Sequence, residues 1–307
     1  MKMKDYNTPQ VHFSAERSNK VQNINEVVKS DTAGGLRWDR DNHCDKHDSD
    51  FVFMPPAFQT SQCPVCGTER LRDDFQSEMQ KVCTDGERLK KHNTLAKQSI
   101  IQDNTITAAT FDNFTTQTEE EHTNKLKAIK VAERFATGEA FNLWIQSPQT
   151  GCGKSHLAMS ILKYVNESGT KDKSTLFLDF GRTMELIRDA INNKESKYTQ
   201  NYFISLANSV DVLVIDDLGA ETGDIYSDKR ASDYTSNILR SILNGRQDKA
   251  TIITTNLSGE RMITGYQDGH KFVPPMYDKK MMSRAMRNVL HILFKETPDK
   301  RVGNLQF

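Results

Sequence analysis

The chain of 307 residues is long enough for two domains, one of which can bury a sizeable core of its own. Its 41 Lys and Arg balance 41 Asp and Glu, which excludes bulk attraction to nucleic acid or an anionic membrane and leaves any such affinity to local patches. The longest purely aliphatic run is VLVI at 212–215 and the N-terminus carries no apolar core of signal-peptide length, so no membrane span or export is expected and the chain reads as cytoplasmic.

Residues 1–40 are polar, carry a Gly34–Gly35 pair and hold few apolar residues to drive collapse, so a disordered segment is expected there. Five cysteines is an odd count, which without an export signal argues for thiols rather than a disulfide framework. Between residues 41 and 68 their spacing points to a metal. Cys44 and His47 are two residues apart, and after a gap of fifteen come Cys63 and Cys66, again two residues apart. Such gaps let both members of a pair bend toward one ion, and four such ligands make a closed tetrahedral Zn2+ site. His43 and Cys83 are the alternative ligands, the latter if four thiolates are used. So short a module would draw most of its folding free energy from the metal.

Residues 69–103 read as a charged helical linker, interrupted near Gly86, and a larger domain is expected over 104–307. In TEEEHTNKLKAIKVAERFATG, acids fill the first turn, Leu126, Ile129, Ala132 and Phe135 recur at helical spacing, and Gly138 supplies a stop. FNLWI reads as a strand, SHLAMSILKYVNE as a helix, STLFLDF as a strand and TMELIRDAINN as a helix; the strands DVLVID, TIITT and NVLHILF follow. This alternation predicts an α/β fold, a parallel sheet covered by helices on both faces.

Between the first strand and helix lies SPQTGCGKSHLA, residues 147–158. A phosphate loop needs glycines where a Cβ would obstruct the backbone N–H groups, and a helix whose positive end favours an anion. Gly151 and Gly153 meet the first need, Lys154 would neutralise the β and γ phosphates, Ser155 would offer its hydroxyl to Mg2+, and Cys152 and His156 complete the stretch that lines the nucleotide. Pro148 stands where the first glycine of the usual spacing falls, so the approach to the loop is expected to differ in shape. DVLVIDD would supply the carboxylates, from a strand expected to neighbour the loop strand, with Asp216 holding the metal through water and Asp217 polarising the attacking water; Glu221 is a second candidate for that base. Asn256, forty residues beyond Asp216, could sense the γ-phosphate.

SPQTGCGKSHLA, VLVIDDLGAE, TIITTNLS and MMSRAMRN, in this order over roughly 104–307, resemble the motifs of AAA+ ATPases of the DnaC/DnaI replicative helicase-loader group. The resemblance implies an ATPase that uses ATP and Mg2+, assembles with itself in the ATP state, grips a hexameric replicative helicase through an N-terminal zinc module and delivers it to single-stranded DNA. It also implies that Arg284 reaches the γ-phosphate of a neighbouring subunit, with Arg287 as the near alternative. Arg301 lies where such loaders often carry a basic residue, too few residues follow Arg284 for a helical lid, and 259–277 looks like an extra loop. The basic stretches 88–97 and 278–287 could meet DNA phosphates and lack the interleaved aromatics of a stacking platform. The competing readings are an IstB-like ATPase that assists a transposase and a nucleotide-dependent adaptor that does not hydrolyse ATP.

Overall fold

The computed structural model describes residues 38–53, 60–169, 171–193, 195–220 and 230–301. The expected disordered segment and Glu221 lie outside the described residues, apart from the last few residues of that segment. The chain divides into two compact units, one running to Val82 and the other from Cys83.

The first unit contains strands β1 (Trp38–Cys44), β2 (Ser49–Phe53) and β3 (Ser61–Gln62) in an antiparallel sheet of that order. A register shift between Asp39 and His43 bends β1, so that Cys44 faces Ser49 across the tight turn to β2. Helix α1 (Pro64–Gln98) begins immediately after Cys63 and carries the boundary between the units. The interruption expected near Gly86 does not occur. Open space surrounds Gly86, and the cost of about 1 kcal/mol for one glycine is too small to break a long helix.

The second unit contains helices α2 (Glu119–Ala136), α3 (Lys154–Glu167), α4 (Phe180–Ile191), α5 (Gln200–Ser209), α6 (Asp233–Asn244) and α7 (Lys279–Ala285). Its main strands are β4 (Asn142–Gln146), β5 (Thr175–Asp179), β6 (Val212–Asp216), β7 (Ala250–Thr255) and β10 (Val289–Leu293). These five form a parallel sheet in the order β10-β4-β7-β6-β5. The expected parallel α/β fold is therefore present, with one correction. β6 does not neighbour the loop strand β4, because β7 lies between them. Local pattern marks each run as a strand but is silent on which crossover places it where.

Alternation along the buried strands sends side chains into two cores. Leu143, Ile145, Phe177, Val214 and Ile252 pack against α2 and α3, whereas Trp144, Leu178, Leu213, Ile215 and Ile253 pack against α4 to α7. Thr118 caps α2 by accepting from the Glu121 N–H, and three glutamates fill the first turn. The face α2 buries is Asn124, Ala128, Val131, Ala132 and Phe135, while Leu126 is 47 % exposed, contrary to expectation. The extra loop after Asn256 is a short π-helical turn, Glu260–Thr264, followed by the hairpin β8 (Tyr266–Asp268) and β9 (Lys271–Val273). No described helix is long and apolar enough to cross a membrane.

The end of the sheet opposite the phosphate loop is tied by Arg246, which is 2 % exposed. Its guanidinium donates to the carbonyls of Ala207, Val210, Asp211 and Ala250 and to the Thr251 hydroxyl. Burial pulls its pKa down to about 9, so it remains charged at neutral pH. Truncating it orphans several buried acceptors at once. Arg246→Ala is therefore expected to lower stability by about 3 kcal/mol or more, read as the urea midpoint; a midpoint equal to wild type would refute this account.

Candidate nucleotide site and Cys/His cluster

Strand β4 delivers the chain into the loop 147–153, and α3 begins at Lys154. Ser147 Oγ accepts from the Gln149 N–H at 3.0 Å, so a serine turn around Pro148 shapes the approach in place of a glycine. Gly151 (φ 67°) and Gly153 (φ 97°) both adopt left-handed backbone. A Cβ on Gly153 would come within 2.6 Å of the Phe114 ring. Gly153, the N-cap of α3, has no side chain to cap the helix, and the first turn of α3 (Lys154, Ser155, His156) lines a cavity.

That cavity is about 530 Å3 and is lined by Thr150, Gly151, Gly153, Lys154, Ser155, His156, Asp216, Asp217 and Asn256, together with Asp179 and Thr254. The residues singled out for phosphate, metal and sensing thus share one space, with two qualifications. Cys152 is fully buried under the loop as a small filler. The His156 ring is engaged by the Thr110 carbonyl at 2.9 Å and by the Phe114 edge at 5.2 Å, so it shapes the wall.

Lys154 Nζ donates to Asn256 Oδ1 (2.5 Å) and to the Gln149 carbonyl (3.1 Å), and Asn256 Nδ2 donates to Asp217 Oδ1 (3.2 Å). A cation, an amide and a carboxylate are thereby linked across the mouth of the loop. Asn256 can occupy this position because β7 lies between the loop strand and the Asp216 strand. Asp216 is 5 % exposed at the tip of the fully buried β6. Burial pushes its carboxyl up to about 6, against hydrogen bonds from Thr254 and Ser155 that favour the anion. Burial also pushes Asp217 up, Lys154 opposes this, and the Asp179 charge adds to it. Asp217 has left-handed backbone (φ 54°), uncommon outside glycine and tolerated by Asp.

Thr254 and Asp179 escaped the sequence reading. Thr254 Oγ1 donates to Asp216 Oδ1 (2.6 Å) and accepts from the Asp217 N–H (2.8 Å), holding both acids at once. Its only sequence signal is a polar residue inside a buried strand. Asp179 sits at the tip of β5 in register with Asp216 and caps α4 by accepting from the Arg182 N–H. An oxygen donor set of Ser155 and Asp216, the latter needing a cation to be comfortably ionised, suits Mg2+. Arg284 and Arg287 are not in this cavity. They line a small recess with Asn142 and Lys249 at the opposite end of β4, where Asn142 Nδ2 donates to the carbonyls of Ala285 (3.1 Å) and Arg287 (3.2 Å).

In the first unit, Cys44, His47, Cys63 and Cys66 place one ligand atom each within 4.8 Å of the others. His47 Nδ1 lies 3.6 Å from Cys44 Sγ, 3.6 Å from Cys63 Sγ and 3.3 Å from Cys66 Sγ, and Cys44 Sγ lies 3.7 Å from Cys66 Sγ. A tetrahedron with Zn–S of about 2.3 Å and Zn–N of about 2.0 Å has S···N edges of about 3.5 Å and S···S edges of about 3.8 Å, so the spacing fits zinc. His47 Nε2 lies 3.3 Å from Glu69 Oε1, the outer partner that fixes a ligating imidazole. Neither alternative ligand joins the group: His43 is held by Asp48 and Asp50, and Cys83 is exposed on α1.

The raised Asp216 has a consequence for stability. In the unfolded chain the carboxyl ionises near 3.8, the usual value for an aspartate, so between pH 4 and 6 the folded state holds the extra proton and stability falls as pH rises through that window. Asp216→Asn is accordingly expected to stabilise the nucleotide-free protein at pH 7 by on the order of 2 kcal/mol, with the gain vanishing toward pH 4. Denaturant melts across that range measure it, and a gain that grows on acidification would contradict it.

Residues 106–256 match the family model described as the bacterial DnaA ATPase domain. The replicative helicase loader DnaC of Buchnera aphidicola subsp. Schizaphis graminum is 32 % identical over 155 residues, 47 % of this chain and 58 % of that protein. The chromosomal replication initiator protein DnaA of Bacteroides thetaiotaomicron is 28 % identical over 189 residues, 59 % of this chain and 37 % of that protein. A crystal structure of the DnaC helicase loader, 18 % identical, covers 63 % of this chain and 100 % of its own with a TM-score of 0.46. The chain spans less than two thirds of the length of these curated relatives. Within the second unit, residues 106–256 are thus similar to the bacterial DnaA ATPase domain, and 47–59 % of the chain is similar in sequence to a DnaC helicase loader and a DnaA initiator.

Proposed function

We propose that this protein hydrolyses ATP in the cavity between the phosphate loop and the tips of β5, β6 and β7, and uses that cycle to load a replicative DNA helicase onto single-stranded DNA. The observation that carries the ATP reading is the chain Lys154–Asn256–Asp217 spanning the mouth of the loop beside the buried Asp216. Lys154 and the N–H groups of the loop bind the β and γ phosphates. Ser155 and Asp216 would hold Mg2+, which when bound neutralises charge on the phosphoryl oxygens. Asp217, with its carboxyl pushed up by burial, takes the proton of the attacking water, and Asn256 orients that water or the γ-phosphate. Arg284 acts in trans. It lies at the far end of β4 from its own phosphate loop, where another copy of the chain could receive it.

The domain scheme we propose is a zinc module over 41–68, a helical linker over 69–103 and the ATPase over 104–307. The helicase as partner rests on the loader relatives. The zinc module would dock it, because the four donors hold together a unit whose buried apolar residues, among those described, are Val52 and Cys63. Single-stranded DNA would meet the exposed basic residues of 88–97 and 278–287 through its phosphates, in a salt-sensitive manner. All of this is work for the cytoplasm.

Two experiments test these assignments. Lys154→Ala is expected to weaken ATP binding at least about tenfold, whereas Asp217→Asn is expected to keep binding and abolish turnover; unchanged hydrolysis in both variants would sink the site. In a pull-down with the hexameric helicase, capture in ATP is expected to be lost after a chelator strips about one zinc per chain, with ATPase activity retained. Capture that survives complete zinc removal would take docking away from the Cys/His module.

A further inference from the structure

Every residue of α1 from Arg70 to Lys91 is exposed. A helix that packs nothing is marginal in water, because most helical stability comes from burying one face. This stretch therefore needs a partner that the other described residues do not supply.

The face left uncovered is apolar. Phe75, Met79, Val82, Gly86 and Leu89 follow one another at alternating steps of four and three, the spacing of a two-stranded coiled-coil seam. Their four apolar side chains are between 39 % (Met79) and 66 % (Val82) exposed, and Leu71, also exposed, lies beside the N-terminal end of the seam. Gly86 has open space where a Cβ would stand, so a facing helix can come close there. Contiguous apolar surface rimmed by charge marks an interaction site.

The residues bordering the seam carry opposite charge on its two sides. Glu78 and Asp85 lie along one rim, Arg72 and Lys90 along the other. Asp85 meanwhile holds Arg88 at 3.5 Å, an exposed pair of a kind worth little. When two identical helices pair in parallel about an axis along their length, the acidic rim of each faces the basic rim of the other; in an antiparallel pair acid faces acid. The exposed parts of the five apolar side chains amount to about 500 Å2 per chain, so two copies cover about 1,000 Å2 before the rims are counted, the lower limit of a specific interface.

We propose that α1 pairs in parallel with α1 of a second copy of the chain through Phe75, Met79, Val82 and Leu89, independently of nucleotide. The contact is isologous, each seam residue meeting its own counterpart, which separates it from the unlike surfaces that the proposed trans role of Arg284 brings together. Pairing takes the stripe out of water and gives the helix the packed side it lacks. It needs no bound nucleotide, so it stands or falls apart from the ATP site.

Sedimentation equilibrium of the full chain without nucleotide is the test. A dimer is expected at about 50 µM. Val82→Glu is expected to weaken it at least about tenfold by putting a charge into the seam, and Asp73→Asn, on the opposite side of α1, to leave it unchanged. Because Val82 is exposed in the single chain, its replacement is expected to leave each unit folded, which thermal melting of the dilute protein checks. In a Cys83→Ser background, Val82→Cys is expected to form an interchain disulfide under mild oxidation, since a parallel pair in register brings position 82 against itself. A dimer that forms only with ATP, a dimer as strong in Val82→Glu, or no cross-link at position 82 each overturn the proposal. So does a wild type that stays monomeric, which would leave the stripe to the chain's own residues 1–37 or to an unrelated protein.

Discussion

Asp216 is a carboxylate kept almost out of water at the end of a strand with no other polar side chain, and its ionisation is disfavoured until a cation arrives. The surrounding architecture follows from that constraint. The parallel sheet puts the acids at the carboxyl ends of its strands, the crossover that inserts β7 brings Thr254 alongside to hold them, and α3 directs its positive end into the same space. A site made this way sacrifices stability in the free protein and, on the proposed reading, would recover it when a metal nucleotide binds, a trade expected of sites built for ligands rather than for folding.

The two units solve the problem of holding a short chain together by different means. The larger one has two apolar cores, one on each face of its sheet, and draws its rigidity from close packing. Among its described residues the smaller one has little to pack, and its fixed points there are four donors at spacings that suit a tetrahedral ion. Burial, with Cys44 and Cys63 beside it, pushes the Cys66 thiol up to about 11. A dication is what turns such crowded thiols from a mutual repulsion into a ligand set.

What could be read from the sequence was what local spacing encodes. The pairs Cys44/His47 and Cys63/Cys66, the GKS of the loop and the acids after VLVI need only a few neighbouring residues to be recognised, and they converge in space as their chemistry requires. What could not be read depends on partners far away in the chain. The insertion of β7 between β4 and β6 is set by a crossover, Thr254 gains meaning only beside Asp216, and Glu120 is unremarkable until Lys295–Thr297 folds onto it. Leu126 and Gly86 depart from what their local sequence predicts for a related reason. A helical stripe fixes its burying face by what packs on it, and a single glycine yields to the helix around it.

The separation of Arg284 from its own phosphate loop by the length of β4, about 13 Å at the usual rise per residue, bears on how copies of the chain would assemble if Arg284 acts in trans as proposed. A contact that inserts this arginine beside another copy's triphosphate joins two unlike surfaces, so it has polarity and no twofold axis. Growth by such contacts would be directional, and every open arc would end in one copy whose cavity has no neighbour to complete it. Under the proposed trans role all the cavities would be equivalent only in a closed ring, and the shape of the assembly would then set how many sites can turn over.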